Sequence, residues 1–438
     1  MILRNVKLVF VANVMILFCG VVTSLLSAWA LGPAGRGDLL VVMLWPPVCA
    51  LLVTCGLDQA HRYWVARDPE CISTLFSNAL IFAAIVGPAT LVLSELIIPH
   101  IVGDRSPHTM WLVRIYLVNI PAALIQFLMI GLLEGARRFG WAGAARLMFF
   151  AVQAVGYFLL WIYGRLTVES AAFTLILAQF GSMSLSLFAV LRELKPRWQP
   201  SWSKWKKALD YGARDYPGIV ADFTTLRLDQ LLLGGMAPSA AIGLYFVAVR
   251  LSEITAVLAS SVADALMPEV AASQPDRAER LLGRSLRLTL YTHLAVLVPL
   301  WVAAPFVLRY VYGESFLAAT ATLRILLLAS VVLSTAGIMI SGLRGFGHPG
   351  LSTIGRFASA VVTVVALLVL LPRLGIVGAA IASLLGYSVT MLFALFWLIR
   401  KGELGVWGYL RPRREDLPIA DLRALLKLDP LRTRNLET

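Results

Sequence analysis

Long apolar runs separated by short polar segments make up most of the chain. Nine of these runs contain no charged residue, and most are close to the ~20 residues with which an α-helix crosses ~30 Å of hydrocarbon. Three further segments, 216–236, 242–263 and 315–343, reach this length only if they include charged residues. The pattern predicts an all-α polytopic membrane protein with 12 transmembrane helices. The charge-free runs are 8–31, 39–57, 72–94, 115–133, 147–164, 170–191, 288–308, 357–372 and 374–399.

The two halves of the chain repeat each other weakly but in the same order. Pro33 and Gly37 match Pro238 and Gly243, at offsets of 205 and 206. Because each half has an even number of spans, both halves have the same orientation and are related by an axis along the membrane normal. A cleft between two such bundles is a natural site for a solute. Three other segments recur 210 residues later: 101–104, 113–115 and 133–135.

A basic linker joins the two repeats. It places Trp202, Trp205 and Leu209 on one side of a short helix and lysines elsewhere, which is typical of a helix that lies on the membrane surface. A docking site for a cytoplasmic enzyme is the alternative for this segment. The predicted parts of the chain are an N-terminal six-helix bundle (1–191), a cytoplasmic amphipathic linker (192–215), a C-terminal six-helix bundle (216–400) and a basic cytoplasmic tail (401–438).

Composition agrees with a membrane protein and explains the net charge. The 438 residues are 59% hydrophobic and 14% charged, with a net charge of +13. If both termini are cytoplasmic, 29 of the 38 Lys and Arg residues fall on the cytoplasmic side, as the positive-inside rule requires. The positive charge therefore reports membrane topology and not a nucleic-acid partner. The first apolar run has no small-residue cleavage site, so it is predicted to be the first span and not a signal peptide.

Charged residues inside the seventh and eighth predicted spans are the main candidate functional groups. Charge inside a membrane span is costly and usually marks a substrate or ion path. At 1.5 Å per residue, Arg227, Asp229 and Arg250 come to a similar depth, which predicts an ion pair between Asp229 and Arg250. Glu253 lies one turn from Arg250, Asp222 shares a helix face with Asp229, and Arg227 needs another partner.

Two interpretations of these charges remain open. They can form an ion-pair network that holds two helices together. They can also line a central cavity in which Arg227 and Arg250 bind anionic groups and a carboxylate titrates or binds a cation. Arg36 and Asp38, in the turn between the first two spans, form either a gate or a solvated turn. Since the first hairpin carries charge only at that turn, we expect the cavity to be charged on one side.

Missing motifs argue against several enzyme classes. The chain has no GxxxxGK[ST] phosphate loop, no HExxH zinc motif and no GxSxG nucleophile elbow. Its four cysteines show no CxxC spacing and are predicted to pack in apolar surroundings. The predicted external loops are short, whereas a membrane glycan polymerase or ligase usually needs a sizeable exposed loop. Transport driven by an ion gradient remains, with no enzyme activity, cofactor or metal expected.

The segments around the charged group carry a family resemblance. Residues 228–234 and 242–251, together with 312–316 and 372–382, resemble bacterial polysaccharide flippases. These are the lipid-linked oligosaccharide translocases of the multidrug/oligosaccharidyl-lipid/polysaccharide exporter superfamily. The resemblance implies a V-shaped pair of six-helix bundles that works by alternating access. It also implies that the chain flips an undecaprenyl-pyrophosphate-linked oligosaccharide from the cytoplasmic to the outer leaflet of the bacterial cytoplasmic (inner) membrane, for lipopolysaccharide or exopolysaccharide biosynthesis.

The same resemblance implies roles for the charged residues and for partners. Cationic side chains would meet the pyrophosphate or acidic sugars, and carboxylates would pair with them or carry a coupling ion, Na⁺ or H⁺, as in an antiporter. Expected partners are the lipid-linked oligosaccharide, membrane lipids, a polysaccharide polymerase and glycosyltransferases. A cation-coupled drug or metabolite exporter of the same fold is the alternative function. The candidate substrate-binding residues are Arg227, Arg250 and Arg36, and the candidate ion-coupling or ion-pair residues are Asp222, Asp229, Glu253 and Asp38.

Overall fold

The computed structural model of the chain describes residues 2–102, 105–272, 274–346 and 348–401. Within these ranges all regular secondary structure is helical, so the prediction of an all-α protein is confirmed. The predicted basic tail lies outside the described residues, apart from Lys401.

The first half of the chain contains seven helices. A short 3₁₀ turn at Pro69–Cys71 leads into the third of them. The fourth and fifth helices form one interrupted span, because Pro121 has no N–H with which to bond the carbonyl group of Leu117. The helices are α1 (Ile2–Thr54), α2 (Leu57–Arg67), α3 (Ile72–Val102), α4 (Pro107–Tyr116), α5 (Asn119–Gly135), α6 (Phe139–Ile162) and α7 (Val168–Leu194).

The described part of the second half contains five helices. A π-helical turn at Val307–Tyr312 and a 3₁₀ turn at Glu314–Ala319 connect the third and fourth of them. The helices are α8 (Trp202–Met236), α9 (Ser239–Ala272), α10 (Pro275–Phe306), α11 (Thr320–Gly345) and α12 (Pro349–Lys401).

Helices α1 and α12 each turn back at a glycine. Gly32 has φ 63° and Gly375 has φ 56°, a conformation that glycine adopts without strain. In α1 the guanidinium group of Arg36 reaches the carbonyl oxygen of Ser24. Twelve residues of straight helix would hold these positions about 18 Å apart, so the chain must reverse between them. Each of these helices therefore supplies two antiparallel segments.

The described residues contain eight helices that are long and apolar enough to span a membrane. Two of them, Val11–Thr54 and Gly350–Arg400, have 44 and 51 residues and contain the reversals at Gly32 and Gly375. Helices α8 and α9 have 35 and 34 residues and carry the charged positions of the seventh and eighth predicted spans. The chain is a multi-pass integral membrane protein.

The two halves meet at one end of the molecule. We call this the hairpin end, because it carries the reversal at Gly32 and the turn between α8 and α9; the opposite end is the linker end. One apolar cluster at the hairpin end joins both halves, for example through Leu39 and Ile242. At the linker end the described buried residues form two separate clusters. One contains Leu128 and other first-half residues with the start of α8, and the other contains Leu282 and only second-half residues. The apolar core is therefore shared at one end and divided at the other.

One helix joins the predicted linker to the seventh predicted span. Helix α8 runs without interruption from Trp202 to Met236, so residue 215 lies inside a helix and does not end a separate linker helix. The first turns of α8 pack on the first half: Trp205 is 5% exposed, and the rings of Tyr211 and Tyr63 stack with centroids 4.3 Å apart. This packing stabilises the polar start of α8 as a continuation of the membrane helix. Trp202, which was expected on the same face, is 73% exposed.

Candidate functional site

A cavity of about 430 Å³ lies between the two halves. Helices α1, α6 and α7, with the α4–α5 span, form its first-half wall, and α8 and α9 form the other. The charged side chains in its lining are Arg36, Arg227, Arg250 and Glu253.

Arg36 is buried in the first-half wall. It is 5% exposed, and it donates hydrogen bonds to the carbonyl oxygen of Ser24 at 2.5 Å and to the Ser24 hydroxyl oxygen at 2.8 Å. The Ser24 hydroxyl group lies 3.2 Å from the phenol oxygen of Tyr312 in the second half. Among the described residues no carboxylate pairs with Arg36. Of the gate and the solvated turn that the sequence leaves open, the solvated turn does not describe this side chain, because the reversal at Gly32 folds it back into the bundle.

Glu253 is shared by two arginines. Its Oε1 atom lies 3.1 Å from Arg227 Nη1 in an ion pair, and its Oε2 atom accepts a hydrogen bond from Arg250 Nη1 at 3.2 Å. Arg227 therefore has the partner that its position required. The Arg250 guanidinium group also lies against Gly20 of α1, where a β-carbon would be 2.9 Å from its Cζ atom. Arg250 thus reaches across the cavity from α9 to the first half.

The predicted ion pair between Asp229 and Arg250 is wrong. Asp229 is 4% exposed and accepts hydrogen bonds from the Tyr245 hydroxyl group, from the Ser383 hydroxyl group at 3.1 Å, and from the backbone N–H of Gln230 at 2.7 Å. These neutral donors lie inside the second half. Asp229 therefore points away from the cavity, although its depth is close to that of Arg250.

The other two acidic candidates are also held outside the cavity lining. Asp222 pairs with Arg356 of α12 at 2.5 Å. Asp38 accepts a hydrogen bond from the Ser239 hydroxyl group at 2.5 Å, across the junction of the two halves at the hairpin end. Arg105, from the turn before α4, donates to the same Ser239 hydroxyl oxygen at 2.8 Å and to the carbonyl oxygen of Ala237 at 2.6 Å. Asp38 and Arg105 thus tie the halves together where their cores are continuous.

The charge of the cavity differs from the sequence prediction in two ways. With Asp222 and Asp229 excluded, the lining holds three arginines and one glutamate, a formal excess of two positive charges. The cations come from both halves, because Arg36 belongs to α1, so the expectation of charge on one side only is wrong. Helical spacing gives the depth of a residue, but the rotation of one helix against another decides which side chains share a cavity.

Sequence reasoning missed the uncharged polar residues of the site. Asn119, Gln153, Tyr157 and Gln179 line the first-half wall. Amides and phenols inside apolar runs do not stand out against charged residues, and only the cavity identifies them. Arg105 was also missed, because it lies between two predicted spans and not inside one. Among the described residues no group of three or more His, Cys, Asp and Glu side chains could hold a metal ion.

Comparisons with known proteins agree on family and fold. Residues 12–321 match the family model described as "Polysaccharide biosynthesis protein". A curated relative, the "Probable low-salt glycan biosynthesis flippase Agl15" of Haloferax volcanii, is 22% identical over 275 residues, which are 62% of this chain and 57% of the relative. The matched part of the chain thus spans little more than half the length of that relative.

Two solved structures share the fold across nearly the whole chain. "Lipid II flippase MurJ, inward closed conformation" superposes with a TM-score of 0.77 at 15% identity, covering 96% of this chain and 93% of that one. An inward-facing multidrug resistance MATE family transporter of the MOP superfamily superposes with a TM-score of 0.70 at 17% identity, covering 90% of this chain and 97% of that one. These structures confirm the predicted fold, and since the family model matches more than half of its length, the chain belongs to the polysaccharide biosynthesis protein family.

Proposed function

We propose that the chain is a flippase that moves an undecaprenyl-pyrophosphate-linked oligosaccharide from the cytoplasmic to the outer leaflet for surface polysaccharide biosynthesis. The observation that carries the proposal is the positively charged cavity between the two halves of a polysaccharide biosynthesis family member. Its excess of two positive charges matches the two negative charges of a pyrophosphate diester. In a membrane interior, charge pairs of this kind gain strength from the low dielectric constant.

The arginines have distinct parts in this proposal. Arg36 has a buried guanidinium group held by Ser24, so it offers a fixed site for one phosphate. Arg227 and Arg250 share Glu253, and a phosphate that binds both would displace this carboxylate. Arginine suits the task because its planar guanidinium group binds phosphate oxygens in pairs.

The displaced carboxylate offers a route to ion coupling. Glu253 loses two cationic partners when the phosphate binds, and an unpaired carboxylate in a membrane interior takes up a proton or a cation. We propose Na⁺ or H⁺ as this ion. Asp229, Asp222 and Asp38 are assigned structural parts instead, because each is held by partners outside the cavity lining.

The transport cycle is proposed to be alternating access. Support comes from the core, which is continuous between the halves at the hairpin end and divided at the linker end. With the hairpin end outside, this is a state closed to the outside, and opening there would release the glycan. Counting the reversals at Gly32 and Gly375 and including α8 and α9, we propose 12 crossings in two parallel repeats, in the inner membrane with both termini in the cytoplasm.

Two other functions are less well supported. A cation-coupled drug exporter has the same fold, but an excess of positive charge in the cavity repels cationic drugs. A membrane glycan polymerase or ligase would need catalytic groups exposed to its acceptor. Among the described residues, the connections at the hairpin end are short turns. We therefore propose a transporter and not an enzyme, which works beside a polymerase and glycosyltransferases.

A deletion strain tests the proposed function. It should lose surface polysaccharide, accumulate lipid-linked oligosaccharide and retain normal drug efflux. Arg250→Ala or Arg227→Ala should fail to restore the polysaccharide although the protein reaches the membrane in normal amount. Drug accumulation without accumulation of lipid-linked glycan would instead support the exporter, and full activity of both variants would remove the roles given to these arginines.

A further inference from the structure

The first-half wall of the cavity is polar but carries no charge apart from Arg36. Asn119 begins α5, Gln153 and Tyr157 lie one turn apart on α6, and Gln179 lies on α7. Measured along their helices at 1.5 Å per residue, these side chains are about 8–18 Å from the hairpin end. Arg227 and Arg250 are about 14–17 Å from it on the opposite wall. A molecule held by the arginines would therefore face the amides.

Asn119 has no hydrogen-bond partner in the free protein. The residue is 1% exposed, and neither its Nδ2 nor its Oδ1 atom forms a hydrogen bond. A buried amide without partners destabilises the folded state. The residue stands at the helix interruption beside Pro121 and belongs to the lining of the cavity. Such a group is explained if a ligand supplies its partners.

Tyr157 is a second buried polar group on the same wall. It is 1% exposed, and its hydroxyl group lies beside the Gln153 amide. Phe149 and Phe150 lie on the same helix and also line the cavity. Their rings offer an apolar surface for the C–H face of a sugar ring, next to polar groups for its hydroxyl groups.

The charge of the cavity restricts what this wall can bind. In the proposed binding mode the two phosphates engage all three arginines of the lining, Arg36 on one side and Arg227 with Arg250 on the other, so no guanidinium group remains for an acidic sugar. The amide of Asn119 both donates and accepts, which matches hydroxyl and acylamino groups. We propose that Asn119, Gln153 and Tyr157 form a subsite for an uncharged sugar directly attached to the pyrophosphate. This inference rests on the proposed function, because the pyrophosphate sets the position of the sugar.

The test compares lipids with and without a sugar. Purified full-length chain in phospholipid nanodiscs is titrated with undecaprenyl pyrophosphate, and with the same lipid carrying one N-acetylglucosamine or one glucuronic acid. Wild-type protein should bind the N-acetylglucosamine lipid about tenfold more tightly than the bare lipid, since one or two hydrogen bonds contribute about 1–1.5 kcal/mol in total. The glucuronic acid lipid should gain less than threefold.

Substitutions test whether this gain in affinity comes from the first-half wall of the cavity. Asn119→Leu should reduce the gain in affinity for the N-acetylglucosamine lipid to less than twofold and leave the affinity for the bare lipid unchanged. Asn119→Ala serves as a second variant if leucine overpacks the site. Tyr157→Phe should lose part of the gain. Tyr163→Phe is the matched control: it removes the same atom from the end of the same helix, where the residue is 75% exposed. Because Asn119 has no partner to lose, its variants should melt at or above the wild-type temperature, whereas loss of a structural amide would lower it.

The outcomes separate the subsite from the proposed function. If wild-type protein binds the bare and N-acetylglucosamine lipids equally, or if the Asn119 variants keep the gain, the subsite is wrong while the flippase proposal stands. If the glucuronic acid lipid gains as much affinity over the bare lipid as the N-acetylglucosamine lipid does, or more, the restriction to uncharged sugars is overturned. If none of the three lipids binds, the proposed function is wrong, and the proposed subsite is wrong with it.

Discussion

The contact between Gly37 and Gly243 at the hairpin end can be broken by a single methyl group. A β-carbon on Gly37 would overlap the Ser239 carbonyl oxygen and lie 2.5 Å from its carbon atom. A β-carbon on Gly243 would overlap the Pro33 carbonyl oxygen and lie 2.9 Å from its carbon atom. Both obstacles are backbone atoms of the other half, which cannot rotate away. Alanine at either position therefore requires the two hairpins to separate.

The size of the effect follows from the cost of overpacking. Inserting a methyl group into a close contact typically costs about 1–3 kcal/mol. This cost falls only on the state in which the hairpin end is closed. At tenfold per 1.4 kcal/mol, each alanine should shift the equilibrium toward an open hairpin end by about 5- to 150-fold. Gly37→Ala combined with Gly243→Ala should shift it further.

Pulsed electron resonance measures this shift directly. Spin labels at Tyr163 and Tyr310, which are 75% and 76% exposed, report the separation of the two halves at the hairpin end in a variant without the native cysteines. We expect a longer distance population in Gly37→Ala and in Gly243→Ala.

Gly35→Ala is the matched control for this experiment. Its β-carbon would meet Leu31 Cβ at 3.1 Å and Val168 Cγ2 at 3.5 Å, which are side-chain atoms of its own half. It should leave the distance distribution unchanged. If all three variants give the same distance distribution as the wild-type protein, the idea that Gly37 and Gly243 hold the hairpin end closed is refuted.

The remaining predictions concern the cavity, the linker and a buried histidine at the linker end. Arg36→Gln should reduce surface polysaccharide at least tenfold in a complementation assay with normal amounts of membrane protein; wild-type polysaccharide would contradict its role. Trp205→Ala should destabilise the protein by about 3–5 kcal/mol because it empties a buried site, whereas the melting temperature of the exposed control Trp202→Ala should not change. Burial lowers the pKa of His61 to about 4, below its unfolded value of about 6.5. The unfolded state therefore binds more protons between these values, and stability should fall by about 2 kcal/mol from pH 7.5 to pH 5. A pH-independent melting temperature, or the same pH slope in His61→Asn, would contradict this.

The sequence predicts the membrane class and the arrangement of the halves because both follow from patterns along the chain. Apolar runs mark the spans, and the repeat that pairs Gly37 with Gly243 anticipates two glycines with equivalent positions. In the structure each of them packs against the other hairpin. The charged positions of α8 and α9 were also found, since a charge in an apolar run is conspicuous.

Partners of those charges could not be predicted in the same way. Asp229 and Arg250 have similar depths, but Tyr245 and Ser383 bind the aspartate from within its own half. Which donor Asp229 binds depends on the rotation of the helices against each other, and sequence spacing does not determine this rotation. Asn119 was missed for a related reason: its significance is that it lacks a partner, which is a property of its surroundings and not of the local sequence.

Leaflet transfer by the purified chain tests the central claim most directly. Liposomes containing the protein are loaded with fluorescent undecaprenyl-pyrophosphate-linked N-acetylglucosamine in both leaflets, and a membrane-impermeant quencher reports how much reaches the outer one, under Na⁺ or pH gradients of either direction. We predict transfer by the wild-type protein under one of these gradients, and its loss in Arg36→Gln and Arg250→Ala. No transfer by wild-type protein under any gradient, or equal transfer by both variants, would contradict the account.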